Sequence, residues 1–209
     1  PGEAQYDDGV PADPAAWPRV PMTELRQGAV RVQRGTPSAA VLVGVSIPIP
    51  EPYAARLTRA RVEAGDPLAH AIPPHITLLP PTEVCGQDVA RVEAHLGEVA
   101  ATHSPFIIEL AGTDSFRPVS PVVFVRLQAG AQECSQLQRA VNDDVLAQDL
   151  RFPYHPHVTI AHELDEPTLD RAAASMGDFD AVFPVVHFSL YFRGADGVWR
   201  DTVDFALTS

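Results

Sequence analysis

The chain has 209 residues, of which 45% are hydrophobic, and a formal net charge of −12. This size predicts one large domain or two small lobes with a real core. Because large nucleic acids are bound mainly through lysine and arginine contacts to phosphates, we expect no long nucleic acid duplex as a partner. The sequence contains neither an apolar run of about 18 residues nor a signal peptide. We therefore expect a cytoplasmic protein without membrane contact, and a monomer.

The N-terminal residues 1–37 predict a flexible, proline-rich tail, and residues 38–209 predict the folded domain. Prolines in the tail stand among glycine, alanine and aspartate, with little apolar periodicity. Trp17 and Val20 could dock on the domain, and residues 30–34 could add a short strand.

Hydrophobic periodicity predicts alternating strands and helices over the rest of the chain. The predicted strands lie at 41–47, 74–78, 106–116, 122–127, 156–160, 182–192 and 198–207, and the predicted helices lie at 51–64, 87–102, 132–147 and 166–176. We expect Gly65 to end the first helix and a turn at 194–197 to precede the last strand. The order strand, helix, strand, helix, strand occurs twice, which predicts two related α+β lobes about a pseudo-twofold axis.

Two of the predicted strands begin with the same pattern of proline, histidine, a β-branched residue, threonine and an aliphatic residue. They read Pro74-His75-Ile76-Thr77-Leu78 and Pro156-His157-Val158-Thr159-Ile160. Because side chains alternate along a strand, the histidine and threonine of each pattern share one face and the apolar residues face a core. If the two strands are neighbours, two imidazoles and two hydroxyls converge on one point.

This set of side chains is suited to acid–base chemistry on a phosphate. Hydrolysis of a phosphodiester needs a base for the attacking water and an acid for the leaving oxygen, and histidine titrates near neutral pH. Threonine hydroxyls can donate to the non-bridging oxygens, where charge builds in the transition state. We therefore predict His75 and His157 as catalytic residues, and Thr77 and Thr159 as phosphate-binding residues.

The paired His-x-Thr motifs resemble those of the two-histidine phosphoesterase superfamily, which includes 2′,5′-RNA ligase-like proteins and cyclic nucleotide phosphodiesterases. The resemblance covers about residues 41–207. It implies a bilobal α+β fold, with two antiparallel sheets facing a central cleft and helices outside. It also implies hydrolysis of 2′,3′-cyclic phosphates or 2′,5′-linked nucleotides without metal or other cofactor. The implied substrate is a small nucleotide or an RNA end, and the implied role of the protein is in RNA processing.

Five further residues are candidates for substrate binding. Tyr154 precedes the second motif, and Phe116 and Tyr191 end the corresponding third strands of the two halves, where an aromatic ring could stack on a base. Core packing is the alternative for all three. Arg193 and its counterpart Arg117 could reach a substrate phosphate from the cleft rim, and a solvated strand end is the alternative.

Two other functions stay open at this stage. A metal-dependent hydrolase could use His155, His157 and His162, although no acidic residue accompanies them. The odd spacing between His157 and His162 predicts that His162 faces away from the motif on a regular strand. The second alternative is a nucleotide-binding module without turnover. We expect Cys85 and Cys134 to be buried free thiols without a catalytic role.

Overall fold

The computed structural model describes residues 40–194 and 199–209, without the side chains of Asp201 and Thr202. The predicted N-terminal tail, its docking residues and its short strand lie outside the described residues, as does most of the predicted turn at 194–197. Among the helices that the structure describes, none has both the length and the apolar character needed to cross a membrane. The expectation of a cytoplasmic monomer stays a prediction.

Strands and helices alternate as expected. The strands are β1 (Ala40–Pro48), β2 (His75–Cys85), β3 (Phe106–Ser115), β4 (Val122–Ala129), β5 (His157–His162), β6 (Asp180–Val185), β7 (His187–Arg193) and β8 (Trp199–Ala206). The α-helices are α1 (Tyr53–Ala64), α2 (Val89–Ala101), α3 (Ala131–Val141) and α4 (Glu166–Ser175), and short 3₁₀ turns cover Gly86–Asp88 and Asp144–Leu146. This content confirms the predicted α+β class.

All eight described strands belong to one antiparallel sheet with the order β6-β3-β4-β5-β2-β1-β7-β8. At its centre, β2 and β5 share a single residue pair, Ile76 opposite Val158, whereas the other neighbouring strands share longer ladders. The two expected sheets are therefore present as two four-stranded halves that meet where the two motifs lie.

One predicted strand proves to be two. The stretch at 182–192 divides at Val186 into β6, which pairs with β3, and β7, which pairs with β1. These two consecutive strands lie in opposite halves of the sheet. The apolar residues continue without interruption through Val186, so periodicity alone cannot reveal that the chain leaves one ladder and enters another.

Helix ends follow local backbone chemistry. Gly65 ends α1 in the left-handed region at φ 85°, as predicted, because glycine has no Cβ to clash there. The predicted helix at 132–147 was too long, since α3 ends at Val141. Asp143 then accepts a hydrogen bond from the backbone N–H of Asp144, which has a φ of 47°. Short polar side chains of this kind compete with helical backbone bonds.

The core lies beneath the motif strands. Ile76, Leu78, Val158 and Ile160 are each at most 1% exposed, and burying each such side chain contributes roughly 1.5–3 kcal/mol. Helix α1 packs against β5 and α4, and α3 packs against β2. Each of these helices therefore covers a motif strand of the opposite sequence half and holds it in place.

Candidate active site

The structure brings the two motifs together across the centre of the sheet. Ile76 lies opposite Val158 in an antiparallel register, which places each histidine across from the threonine of the other motif. His75, Thr77, His157 and Thr159 all line one cleft of about 280 Å³. The predicted convergence of two imidazoles and two hydroxyls is therefore present.

Both catalytic candidates are fixed in the same way. The Nδ1 atom of His75 lies 2.7 Å from the carbonyl oxygen of Pro73, and Nδ1 of His157 lies 2.7 Å from that of His155. A carbonyl oxygen can only accept, so Nδ1 carries the proton in each ring. The Nε2 atom of each neutral imidazole is then the basic nitrogen that a substrate can meet.

Burial sets the charge of both rings. It is the main cause that lowers the pKa of His75, against a rise from the Pro73 carbonyl, and the Arg61 guanidinium lowers that pKa further. Burial also lowers the pKa of His157, where the His155 carbonyl opposes it and the nearby charges of His155 and His75 add to it. Both imidazoles are consequently neutral near pH 7 until an anion enters the cleft.

The two motif threonines are placed to donate. Thr77 and Thr159 are half-buried on the cleft face. Within the part of the chain that the structure describes, neither side-chain hydroxyl hydrogen-bonds to another protein group. Each hydroxyl can therefore donate to an oxygen of a bound phosphate without giving up a bond in the folded protein.

His162 also lines the cleft, and the prediction that it faces away was wrong. On β5, Thr159 lies opposite Phe124 while Ala161 lies opposite Val123, so Ile160 is an extra residue in the strand. Such a bulge reverses the alternation of side chains beyond it. His162 is therefore turned to the same face as His157.

Arg61 is a cleft residue that the sequence analysis missed. It is only 6% exposed, lies at the rim of the cleft, and forms a 2.8 Å ion pair with the buried side chain of Asp66. Its guanidinium also donates to the carbonyl oxygens of Leu68 and Ile72. It thereby holds the loop that leads into His75. An arginine on the apolar side of a predicted helix was the signal that could have identified it.

Tyr154 and Phe116, two of the aromatic candidates for substrate binding, are not among the residues that line the cleft. Tyr154 is mostly buried and its hydroxyl donates to the carbonyl oxygen of Thr77 at 3.0 Å, so it connects the approach to β5 with β2. Burial raises its pKa. The Phe116 ring packs edge-on against His157 at 4.9 Å and lies 4.3 Å from the Phe124 ring. Tyr154 and Phe116 therefore support the motif strands.

The two candidate arginines of the rim differ. Arg117 forms ion pairs with Glu166 at 2.6 Å and Asp170 at 2.8 Å, both on α4, so its guanidinium binds protein carboxylates. Arg193 is exposed at the end of β7 and is not among the residues that line the cleft. The expectation that the two arginines are at equivalent positions was wrong. Phe116 lies beside Val122 of β4 and Tyr191 lies opposite Gly44 of β1, so the ladders match Phe116 with Tyr191. Arg117 then corresponds to Phe192 and not to Arg193.

A second cavity, of about 130 Å³, continues the cleft on the His75 side and shares His75 and Thr77 with it. We call it the side pocket. Tyr191, the third aromatic candidate for substrate binding, lines it together with Gly44, Ser46 and Trp199. A Cβ atom at Gly44 would lie 3.4 Å from the Trp199 ring. The sequence signal for this close approach was a glycine inside an otherwise apolar strand.

The residues of the alternative metal site are not arranged as ligands. Over residues 40–194 and 199–209, no three histidine, cysteine, aspartate or glutamate side chains form a group that could hold a metal ion. The His155 ring instead packs edge-on against Phe116 at 5.4 Å. No disulfide joins the cysteines, and Cys85 is half-buried rather than buried. Burial raises the pKa of the Cys134 thiol to about 12, which keeps it protonated and unreactive.

Comparisons with known proteins agree with the class that the fold and motifs define. The sequence model of the 2′-5′ RNA ligase superfamily matches residues 49–197, and the chain belongs to that superfamily. A protein of Bacillus licheniformis with the name "Putative phosphoesterase" is 29% identical over 144 residues, which cover 68% of this chain and 85% of the relative. A Bacillus pumilus protein of the same name is also 29% identical, over 68% of this chain and 84% of its own length.

Solved structures share the fold. Escherichia coli LigT without ligand superposes with a TM-score of 0.61 at 22% identity, over 82% of this chain and 100% of LigT. LigT in complex with 3′-AMP gives a TM-score of 0.58 at 20% identity with the same coverage. TT0787 of Thermus thermophilus gives 0.54 at 20% identity, over 79% of this chain and 97% of that protein. At these identities the likeness establishes the fold alone.

Proposed function

We propose that the protein is a metal-independent phosphodiesterase that opens nucleoside 2′,3′-cyclic phosphates or cleaves short 2′,5′-linked nucleotides. The observation that carries the proposal is the arrangement at the centre of the sheet. Two histidines, each anchored through Nδ1 to the carbonyl two residues before it, share one cleft with two threonine hydroxyls that have no other described partner.

The chemistry needs one histidine on each side of the phosphorus. Nε2 of one neutral imidazole takes a proton from water, whose oxygen attacks the phosphorus in line with the leaving oxygen. The other histidine is protonated and gives its Nε2 proton to the leaving oxygen as the P–O bond breaks. This oxygen is the 2′ or 3′ oxygen of a cyclic phosphate, or the 5′ oxygen of a 2′,5′ linkage. The product is a monoester with a free hydroxyl, and Thr77 and Thr159 donate to the non-bridging oxygens throughout.

The negative charge of the substrate favours protonation of the histidine that acts as the acid. Burial lowers the pKa of both histidines in the unliganded cleft, which would leave neither ring charged. A negative phosphate close to an imidazole raises its pKa and favours one protonated ring. His162, on the same face, is a further group that could contact the substrate. The side chains of the cleft thus supply base, acid and hydrogen-bond donors.

Small nucleotides are the expected partners. The net charge of −12 disfavours long polyanions, whereas the cleft is large enough for a terminal phosphodiester. LigT has been crystallised in complex with 3′-AMP, NADP+ and ATP. These support a nucleotide as the substrate class of this chain. An end of an RNA could enter the cleft in the same way, which is the basis for a role in RNA processing.

A hydrolysis assay on metal-stripped protein tests the proposal. The protein is dialysed against a strong chelator, metal content is measured, and cytidine 2′,3′-cyclic phosphate and a 2′,5′-linked dinucleotide are supplied. We expect a phosphate monoester product, identified by ³¹P NMR. Activity lost on dialysis and restored by zinc or manganese would establish the metal-dependent alternative. Calorimetric nucleotide binding without any turnover would establish the binding-module alternative.

A further inference from the structure

Equivalent positions on the two sides of the cleft can be read from the ladders. Ser46 lies opposite Thr77 in the first motif, and Phe124 lies opposite Thr159 in the second. An extra residue follows each threonine, Leu78 in β2 and Ile160 in β5, so the correspondence continues beyond it. Counting two positions back from Ser46 in β1 and from Phe124 in β4 makes Gly44 the counterpart of Val122, and a second irregularity of the β1–β2 ladder falls at Gly44, between Val43 and Val45.

The same space is filled on one side and open on the other. On the His157 side, the rings of Phe124 and Phe116 lie 4.3 Å apart and the Phe116 ring packs against His157. On the His75 side, serine and glycine stand at the positions that correspond to Phe124 and Val122. The side pocket of about 130 Å³ occupies the space that these small residues leave.

The lining of the side pocket selects for a particular kind of group. Its described lining residues include no lysine, arginine, aspartate or glutamate, and most of them are apolar or aromatic. Trp199 contributes a flat indole beside Gly44, and Tyr191 contributes a second ring. A flat, uncharged ring would bury its faces here, whereas a charged group would lose its hydration without a partner.

We propose that the side pocket binds an uncharged flat ring that is attached to the reacting phosphate, such as a nucleobase, so that the ring always lies on the His75 side of the cleft. This inference rests on the proposed phosphodiesterase function and names its substrate class more closely. Because the pocket offers few hydrogen-bonding groups and every base has a π-face, recognition depends on stacking and tolerates different bases.

The first test compares two substrates with and without a ring. The side pocket is filled by Gly44→Val, which installs the residue found at Val122 on the other side. The control is Gly97→Val, the same substitution on α2, where a Cβ atom would meet nothing within 4 Å. The measurement is kcat/KM for cytidine 2′,3′-cyclic phosphate divided by kcat/KM for ribose 2′,3′-cyclic phosphate, which lacks the base.

Loss of ring binding should lower this ratio in the Gly44→Val protein by about tenfold or more, since base–aromatic stacking is typically of that size. The ratio in the Gly97→Val protein should equal that of the wild type. An unchanged ratio in a folded Gly44→Val protein would overturn the inference. If the wild type hydrolyses neither substrate, the proposed function fails and the next test still decides about the pocket.

The second test measures binding without turnover. The sequence has two tryptophans, Trp17 and Trp199, so Trp17→Phe leaves Trp199 as the only indole reporter. We expect 3′-AMP to quench its fluorescence strongly and inorganic phosphate to change it little, and we expect Gly44→Val to remove the quenching. Equal responses to 3′-AMP and inorganic phosphate would show that no ring enters the side pocket.

Discussion

On each side of the cleft, a histidine is held through Nδ1 by the carbonyl two residues before it, and a bulge follows the threonine two residues after it. The helices that follow β1 and β4 differ behind this shared backbone. Helix α1 buries residues 57, 60 and 61, and α3 buries residues 134, 137 and 138 with the same spacing. Arg61 and Gln138 occupy the same place in this spacing. Each of the three guanidinium nitrogens of Arg61 donates a hydrogen bond, whereas Nε2 of Gln138 has no partner among the described residues.

This comparison separates what the chemistry requires from what the substrate requires. The anchored imidazole and the hydroxyl occur on both sides, as the proposed attack and departure at a phosphorus atom would require. Among the residues that the structure describes, the buried Arg61 cation and the open side pocket both lie on the His75 side. We infer that the shared features serve the reaction and that the differences orient the substrate.

The largest effect should come from removing either imidazole. His75→Ala and His157→Ala should each lower kcat by about 10²–10⁴-fold, the usual contribution of a general acid or base. The double variant should be little worse than the weaker single variant, because the two groups act as a unit. Circular dichroism checks the fold, and near-wild-type turnover in either single variant would contradict the two-histidine mechanism.

Arg61→Gln replaces Arg61 by the residue type found at the corresponding position of α3, which is Gln138. It should lower the free energy of unfolding by roughly 3–5 kcal/mol, because it leaves the buried Asp66 carboxylate without its partner. Urea denaturation measures the change. Adding Asp66→Asn should recover part of the loss.

The matched control for this prediction is Arg56→Gln, which breaks an exposed ion pair with Asp178. Exposed pairs contribute little because water and salt screen them, so the unfolding midpoint should move far less than in Arg61→Gln. Equal shifts in the two variants would mean that the buried pair has no special role in the His75 half.

Substitution of the two threonines tests whether both sides of the cleft contribute equally to kcat. Thr77→Val and Thr159→Val should each lower kcat by about 10²–10³-fold, the cost of losing one donor to a developing oxyanion. Valine keeps the shape and removes the hydroxyl. KM should change much less than kcat, because the donation strengthens in the transition state. A large loss for only one threonine would show that a single side holds the charged oxygens.

The smallest expected effect is a displacement of the pH profile. Burial lowers the pKa of both histidines from the usual 6.5 in the unliganded protein. The profile of kcat/KM reports these free-protein values. One ring must be neutral and one protonated, and that state is most populated between two pKa values that both lie below 6.5. The maximum of kcat/KM should therefore lie below pH 6.5, and a maximum above pH 7 would contradict the neutral, buried pair.

The sequence was sufficient to predict the four central side chains, because alternation in a strand fixes which residues share a face. It also predicted the helix end at Gly65, where local backbone geometry decides. It failed for His162, because the bulge at Ile160 depends on how β5 pairs with β4. It also failed for Arg61, whose burial depends on a loop that folds back over the helix.

Two other features, the division between β6 and β7 and the open side pocket, required information that no local pattern contains. The uninterrupted apolar run through Val186 looked like one strand, and only the partners β3 and β1 distinguish β6 from β7. The open side pocket likewise results from Gly44 and Ser46 facing the residues of other strands. Both features arise from pairing between distant segments, which periodicity does not report.

The placement of β3 and β7 has a further consequence for the chain as a whole. β3 precedes the loop at 116–121 but pairs only with strands that follow it, and β7 forms its ladders with β1 and β8. Each half of the sheet therefore contains strands from both sides of that loop. A cut in that loop would give two fragments of which neither contains a complete half-sheet. Each fragment should fold only when the other is present, so active protein should form by fragment complementation.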